Sequence, residues 1–75
     1  MPTKTITVFK TSVTTRTEVG KLKPLLDTIF EMGEHWNFDL EDRENILRIE
    51  SAPHKADQVI NALSASGYEC VELDG

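Results

Sequence analysis

The chain has 75 residues, of which 39% are hydrophobic and 28% charged, with a net charge of −5 and a single cysteine. That length supports one small core and one domain, residues 1–75, and the lone Cys70 excludes an internal disulfide framework and a four-cysteine zinc site. The acidic balance argues against nucleic-acid binding, which rests on phosphate neutralisation, and no apolar run approaches the ~20 residues that span a bilayer.

The first ten residues, Met1 to Lys10, lack the apolar block of a signal peptide, so a cytoplasmic protein with no membrane partner is expected. From Thr3 to Lys10 the sequence alternates, with Ile6 and Val8 on one face and Thr5, Thr7 and Phe9 on the other. Period two with β-branched residues predicts a strand. A hydroxyl-rich stretch, Thr11 to Thr17, follows, and Thr15-Arg16-Thr17-Glu18 fits a capping box with Thr15 as N-cap. Val19, Leu22, Leu26, Ile29 and Phe30 recur at helical spacing. Pro24 predicts a kink in that helix and Gly33 its C-terminal cap. Trp36, Phe38 and Leu40 alternate with polar residues as a half-buried strand, and Asp42-Arg43-Glu44-Asn45 predicts the turn of a hairpin into Ile46–Glu50. Pro53 opens a second helix, striped by Ala56, Val59, Ile60 and Leu63 and closed by Gly67. Tyr68 to Leu73 is a last strand of ambiguous parity.

The order βαββαβ requires right-handed crossovers, which put both helices on one side of a four-stranded antiparallel sheet. The expected fold class is α+β, a ferredoxin-like sandwich whose other sheet face lies open.

From Phe9 to Val71 the chain resembles the heavy-metal-associated domain of copper chaperones and metal-transporting ATPases. Leu40-Glu41 stands where the family ends its second strand, and Ser66-Gly67-Tyr68-Glu69-Cys70 follows the second helix in the family's order. The resemblance implies a metal loop, Met-Thr-Cys-x-x-Cys, between the first strand and helix. Here that stretch reads Lys10-Thr11-Ser12-Val13-Thr14-Thr15, so Ser12 and Thr15 occupy the two cysteine positions and Lys10 that of the Met. Hydroxyls that stay protonated at pH 7 do not hold Cu(I), which needs thiolates. No metal ligand carries over from the family, and no cofactor is expected. Cys70 reads as a buried inert thiol, His35 and His54 as solvated turn residues, and Asp39, Glu41 and Asp42 as a solvated strand end.

Two candidate sites remain. The hydroxyls of Thr11, Ser12, Thr14 and Thr15, flanked by Lys10 and Arg16 before a helix N-terminus, form either an anion-binding loop or a cap with an exposed loop. The five bases and one acid of residues 1–25, against twelve acids downstream, suit the first reading and are equally a solvated dipole. The open sheet face is the second candidate, with Phe9, Ile46 and Arg48 placed outward, and Val71 and Leu73 beside them, as a surface for a protein partner or a homodimer. Neither a nucleophile–base set, nor paired carboxylates in a cleft, nor a glycine-rich phosphate loop is visible, so the expected function is a non-catalytic binding module. The alternative is soft-metal binding or transport through a non-standard site such as Cys70 with a histidine.

Overall fold

The structure, a computed structural model, describes residues 4–41 and 45–73; the Asp42–Glu44 part of the turn read above lies outside them. The elements run β1 (Thr5–Thr11), α1 (Arg16–Ile29), β2 (His35–Asp39), β3 (Ile46–Ser51), α2 (Lys55–Ala65) and β4 (Cys70–Leu73). The sheet order is β2-β3-β1-β4 with every neighbouring pair antiparallel. This is the ferredoxin-like βαββαβ sandwich. The strands joined by each crossover, β1 with β2 and β3 with β4, run parallel but are not neighbours: each crossover skips one sheet position, which a strand of the other unit fills in the antiparallel sense.

Local chemistry accounts for the element ends. Thr15 is extended (φ −128°, ψ 154°) and its hydroxyl accepts the Glu18 N–H at 3.2 Å, which starts α1. The helix continues through Pro24 but stops at Ile29, earlier than Gly33. Phe30 closes it, and Gly33, at φ +89°, serves instead the turn before β2, where its carbonyl accepts Lys4 Nζ at 2.6 Å. At the end of α2 the N–H of Gly67 (φ +90°) bonds Ser64 O at 3.0 Å, and the N–H of Tyr68 bonds Leu63 O at 2.9 Å. That pair is a Schellman motif, and it requires the left-handed backbone glycine adopts freely.

One core contains Phe9, Val13, Leu22, Leu26, Leu47, Ile49, Ala56, Val59 and Leu63. It overturns the expected parity of β1. Phe9 is 0% exposed and opposes Leu47, whereas Ile6 is 64% exposed. Cross-strand partners share a face, so the pairs Phe9–Leu47 and Thr7–Ile49 commit Phe9 to the helix side along with Leu47 and Ile49. Burying one phenylalanine ring there outweighs burying Ile6 near the strand end, and the threonines tolerate either side. Phe9 is therefore not part of any partner face.

A buried ion pair, invisible in the sequence, ties the start of α2 to the turn before β2. Lys55 Nζ donates to Glu34 Oε1, with only 7% and 10% of the two side chains exposed. The same carboxylate accepts the N–H of Glu31 at 2.8 Å and of Ala52 at 2.9 Å. The Lys55 bond, then the two backbone donors, hold the Glu34 pKa down at about 2.

Candidate functional site

The hydroxyl-rich loop is built, and its hydroxyls are engaged internally as donors or acceptors. Thr11 is buried, and its hydroxyl donates to Asn45 O at 2.7 Å and accepts the Val13 N–H at 3.2 Å. Ser12 exchanges two bonds with the start of β4: its N–H goes to Glu69 O at 3.2 Å, and its Oγ accepts the Glu69 N–H at 2.8 Å. The Thr14 N–H and hydroxyl, at 3.2 and 3.1 Å, and the Thr15 hydroxyl at 3.1 Å all donate to Glu18 Oε1. An anion is thus already present at this helix N-terminus, and it is the chain's own. The Thr14 N–H, then the Tyr68 hydroxyl and the threonine hydroxyls, lower the Glu18 pKa, while the carboxylate raises that of Tyr68. The capping box was legible as Thr15 and Glu18; the recruitment of Thr14 and Tyr68 to the same carboxylate was not, because Tyr68 is fifty residues away in sequence.

The six residues read as one loop site do not converge. Strand alternation sends Lys10 to the face opposite Thr11, where it opposes Ile46 and Val71. Arg16 lines a groove of about 470 Å³ that runs between the first turns of α1 and β2, with Val19, Gly20, Phe38 and Leu40. Gly20 lines that groove without a side chain, and a Cβ there would stand in open space. Trp36 pins α1 over the same strand, its Nε1 donating to Asp27 Oδ1 at 3.0 Å, and its ring meets Phe38 edge-on at 5.9 Å. That bond and Lys23 at 3.1 Å lower the Asp27 pKa.

The open sheet face follows from the register. His35, Glu50 and Ile6 lie across it in one row. Asn37, Arg48, Val8 and Leu73 form the next, then Asp39, Ile46, Lys10 and Val71. Ile6 and Val71 are 64% and 57% exposed, while Val8 and Leu73 are half-buried. Arg48 is exposed on this face as expected, but Ile46, flanked by Lys10 and Asp39, is only 7% exposed. The apolar surface presented is therefore Ile6, Val8, Val71 and Leu73 in place of Phe9 and Ile46.

The donors in the loop do not fit a soft metal ion. Ser12 and Thr15, in the cysteine positions of the resemblance, are neutral hydroxyls engaged with Glu69 and with the helix cap. Cys70 is on the helix side of β4 opposite Thr11, half-buried where the sequence reading had it buried, and its partial desolvation pushes the thiol up to about 12, away from the thiolate a metal needs. His35 stands on the open face of the other edge strand, and His54 precedes α2, near the end of β3 that pairs with Thr5. Cys70 and His35 thus lie on opposite faces of the sheet, and His54 lies toward the end of β1 opposite the one that Cys70 pairs with. Among the described residues no three His, Cys, Asp or Glu side chains gather as a metal-ligand group, and no helix is long and apolar enough to cross a membrane.

Compared with protein-family models, with curated proteins and with solved structures, the chain has no match. Fold and surface define its class as a small α+β ferredoxin-like sandwich with one uncovered sheet face.

Proposed function

We propose that the protein is a non-catalytic interaction module of the cytoplasm that engages a protein partner through its open sheet face, without nucleic acid, membrane or cofactor. The observation that carries this reading is the pair of exposed apolar residues, Ile6 and Val71, on neighbouring strands, with Val8 and Leu73 continuing the surface between them. Contiguous apolar surface is what partner faces use, and the interspersed Lys10, Arg48 and Glu50 supply orientation. The resemblance to heavy-metal-associated domains supports a binding role without metal, since the loop that would carry thiolates in that family here serves as a helix cap.

The test is site-specific photo-crosslinking of the full chain in its native cell. A photoreactive residue replacing Ile6 is expected to yield a discrete adduct, and one replacing Asp57 on α2 is not. The adduct should be lost when Val71→Lys is added and kept when Asp57→Lys is added. Adducts of equal yield from both faces, or insensitivity to Val71→Lys, would refute the reading.

A further inference from the structure

The open face is not the only unfilled surface, because the sheet also ends. β2 is an edge strand, bonded to β3 on one side only, and among the described residues no backbone hydrogen bond reaches residues 35–39 from any other segment. Such an edge offers a row of unpaired N–H and C=O groups, and proteins ordinarily blunt it with shortness, charge (lysine above all), proline or a bulge. The segment His35-Trp36-Asn37-Phe38-Asp39 has no lysine and no proline. The chemistry that completes a sheet edge is another extended backbone.

We infer that the occupant is β2 of a second copy of this chain, paired antiparallel about a two-fold axis through Asn37. A two-fold interface must be self-complementary, residue by residue. Centred on Asn37, the pairing sets His35 opposite the partner's Asp39, Trp36 opposite the partner's Phe38, and Asn37 opposite itself. Each match is favourable. An imidazole meets a carboxylate twice on the open face. An aromatic ring meets an aromatic ring twice on the helix side, extending the edge-on Trp36–Phe38 contact within each chain. On the axis two carboxamides meet, and a carboxamide both donates and accepts. The groove beside β2, floored by Gly20, Val19 and Phe38, leaves space for the partner's Trp36.

The opposite edge fails the same criterion. Centring β4 on Glu72 would set two carboxylates face to face, and centring it on Val71 would oppose Cys70 to Glu72. The product of β2 pairing is one continuous eight-stranded sheet. Its open face carries two copies of the Ile6–Val71 surface, so the dimer adds to the proposed partner face and does not consume it.

Sedimentation equilibrium of the full chain tests this. An edge of five residues lies at the small end of interface size, so a dissociation constant on the order of 100 µM or tighter is expected. His35→Asp sets carboxylate against carboxylate at two symmetric positions and should weaken the dimer about tenfold. Combining it with Asp39→Lys should restore the dimer. The register is read by oxidation in a Cys70→Ser background. Asn37→Cys should cross-link to itself, because on-axis Cβ atoms approach to about 5 Å. His35→Cys alone should not, since two copies of residue 35 would lie about 13 Å apart along the strands. A chain still monomeric at about 1 mM overturns the proposal. So does a dimer indifferent to His35→Asp but broken by Ile6→Lys with Val71→Lys, which would show stacking through the open faces. Failure of either kind leaves the photo-crosslinking result on the partner face to stand or fall by itself.

Discussion

Phe9→Ala removes the ring that the β1–β3 register places at the centre of the core. Phe9 is 0% exposed, and it opposes Leu47 and Glu72 on the two flanking strands. Burying a phenylalanine removes about 150–200 Å² from water, worth about 4–5 kcal/mol at about 25 cal/mol per Å². A compact unfolded chain reduces that to about 3 kcal/mol, and the cavity left behind raises it again, so a loss of about 3–5 kcal/mol is expected. At about 0.05–0.15 kcal/mol per residue, a domain of this size has a total stability of about 4–11 kcal/mol. The substitution should therefore remove most of it. Ile6→Ala, on the same strand but on the open face, should cost about 0.5 kcal/mol or less. Urea unfolding followed through the fluorescence of Trp36, the single tryptophan, measures both. An m-value shared with the wild type would show that stability, and not residual structure, has changed. If Ile6→Ala proves the more damaging of the two, the strand is turned over, and the account of the open face falls with it.

Three further outcomes are expected. Thr15→Ala, which deletes the N-cap acceptor of the Glu18 N–H, should lower stability by about 1 kcal/mol in the same unfolding assay, and Thr15→Asp should recover much of it. The Glu34 carboxyl is held at about 2, below its ordinary 4.5; its contribution is complete above pH 4.5 and is lost as the pH falls toward 2. Glu34→Gln should therefore flatten the stability–pH curve across that window, to which the carboxyls of Glu18 and Asp27, also lowered, contribute in the same direction; an unchanged slope would refute the pairing with Lys55. With its thiol pushed up to about 12, Cys70 should react with a disulfide reagent at pH 8 far more slowly in the folded chain than in urea, and equal rates would contradict its burial.

The legible parts of this molecule were those encoded within a few residues of each other. The Thr15–Glu18 box, the stripe Val19–Leu22–Leu26, the positive-φ glycine at Gly67 and the alternation around Trp36 and Phe38 each occupy a short window, and each formed where the pattern placed it. Gly33 misled because a glycine shortly after a helical stripe looks the same whether it caps the helix or serves the next turn.

The sequence by itself determined six elements, their order and hence, through crossover handedness, the ferredoxin-like sandwich. Tertiary structure alone decided which side of β1 is inside. Phe9 occupies one parity and Ile6 with Val8 the other, a balance broken only when Leu47 and Ile49 pair across the strand. It also decided that Glu18 fills the anion position beside the hydroxyl loop, that Glu34 meets Lys55, and that β2 ends the sheet. These are contacts between distant segments, and a contact's energy depends on geometry that no short window of sequence contains.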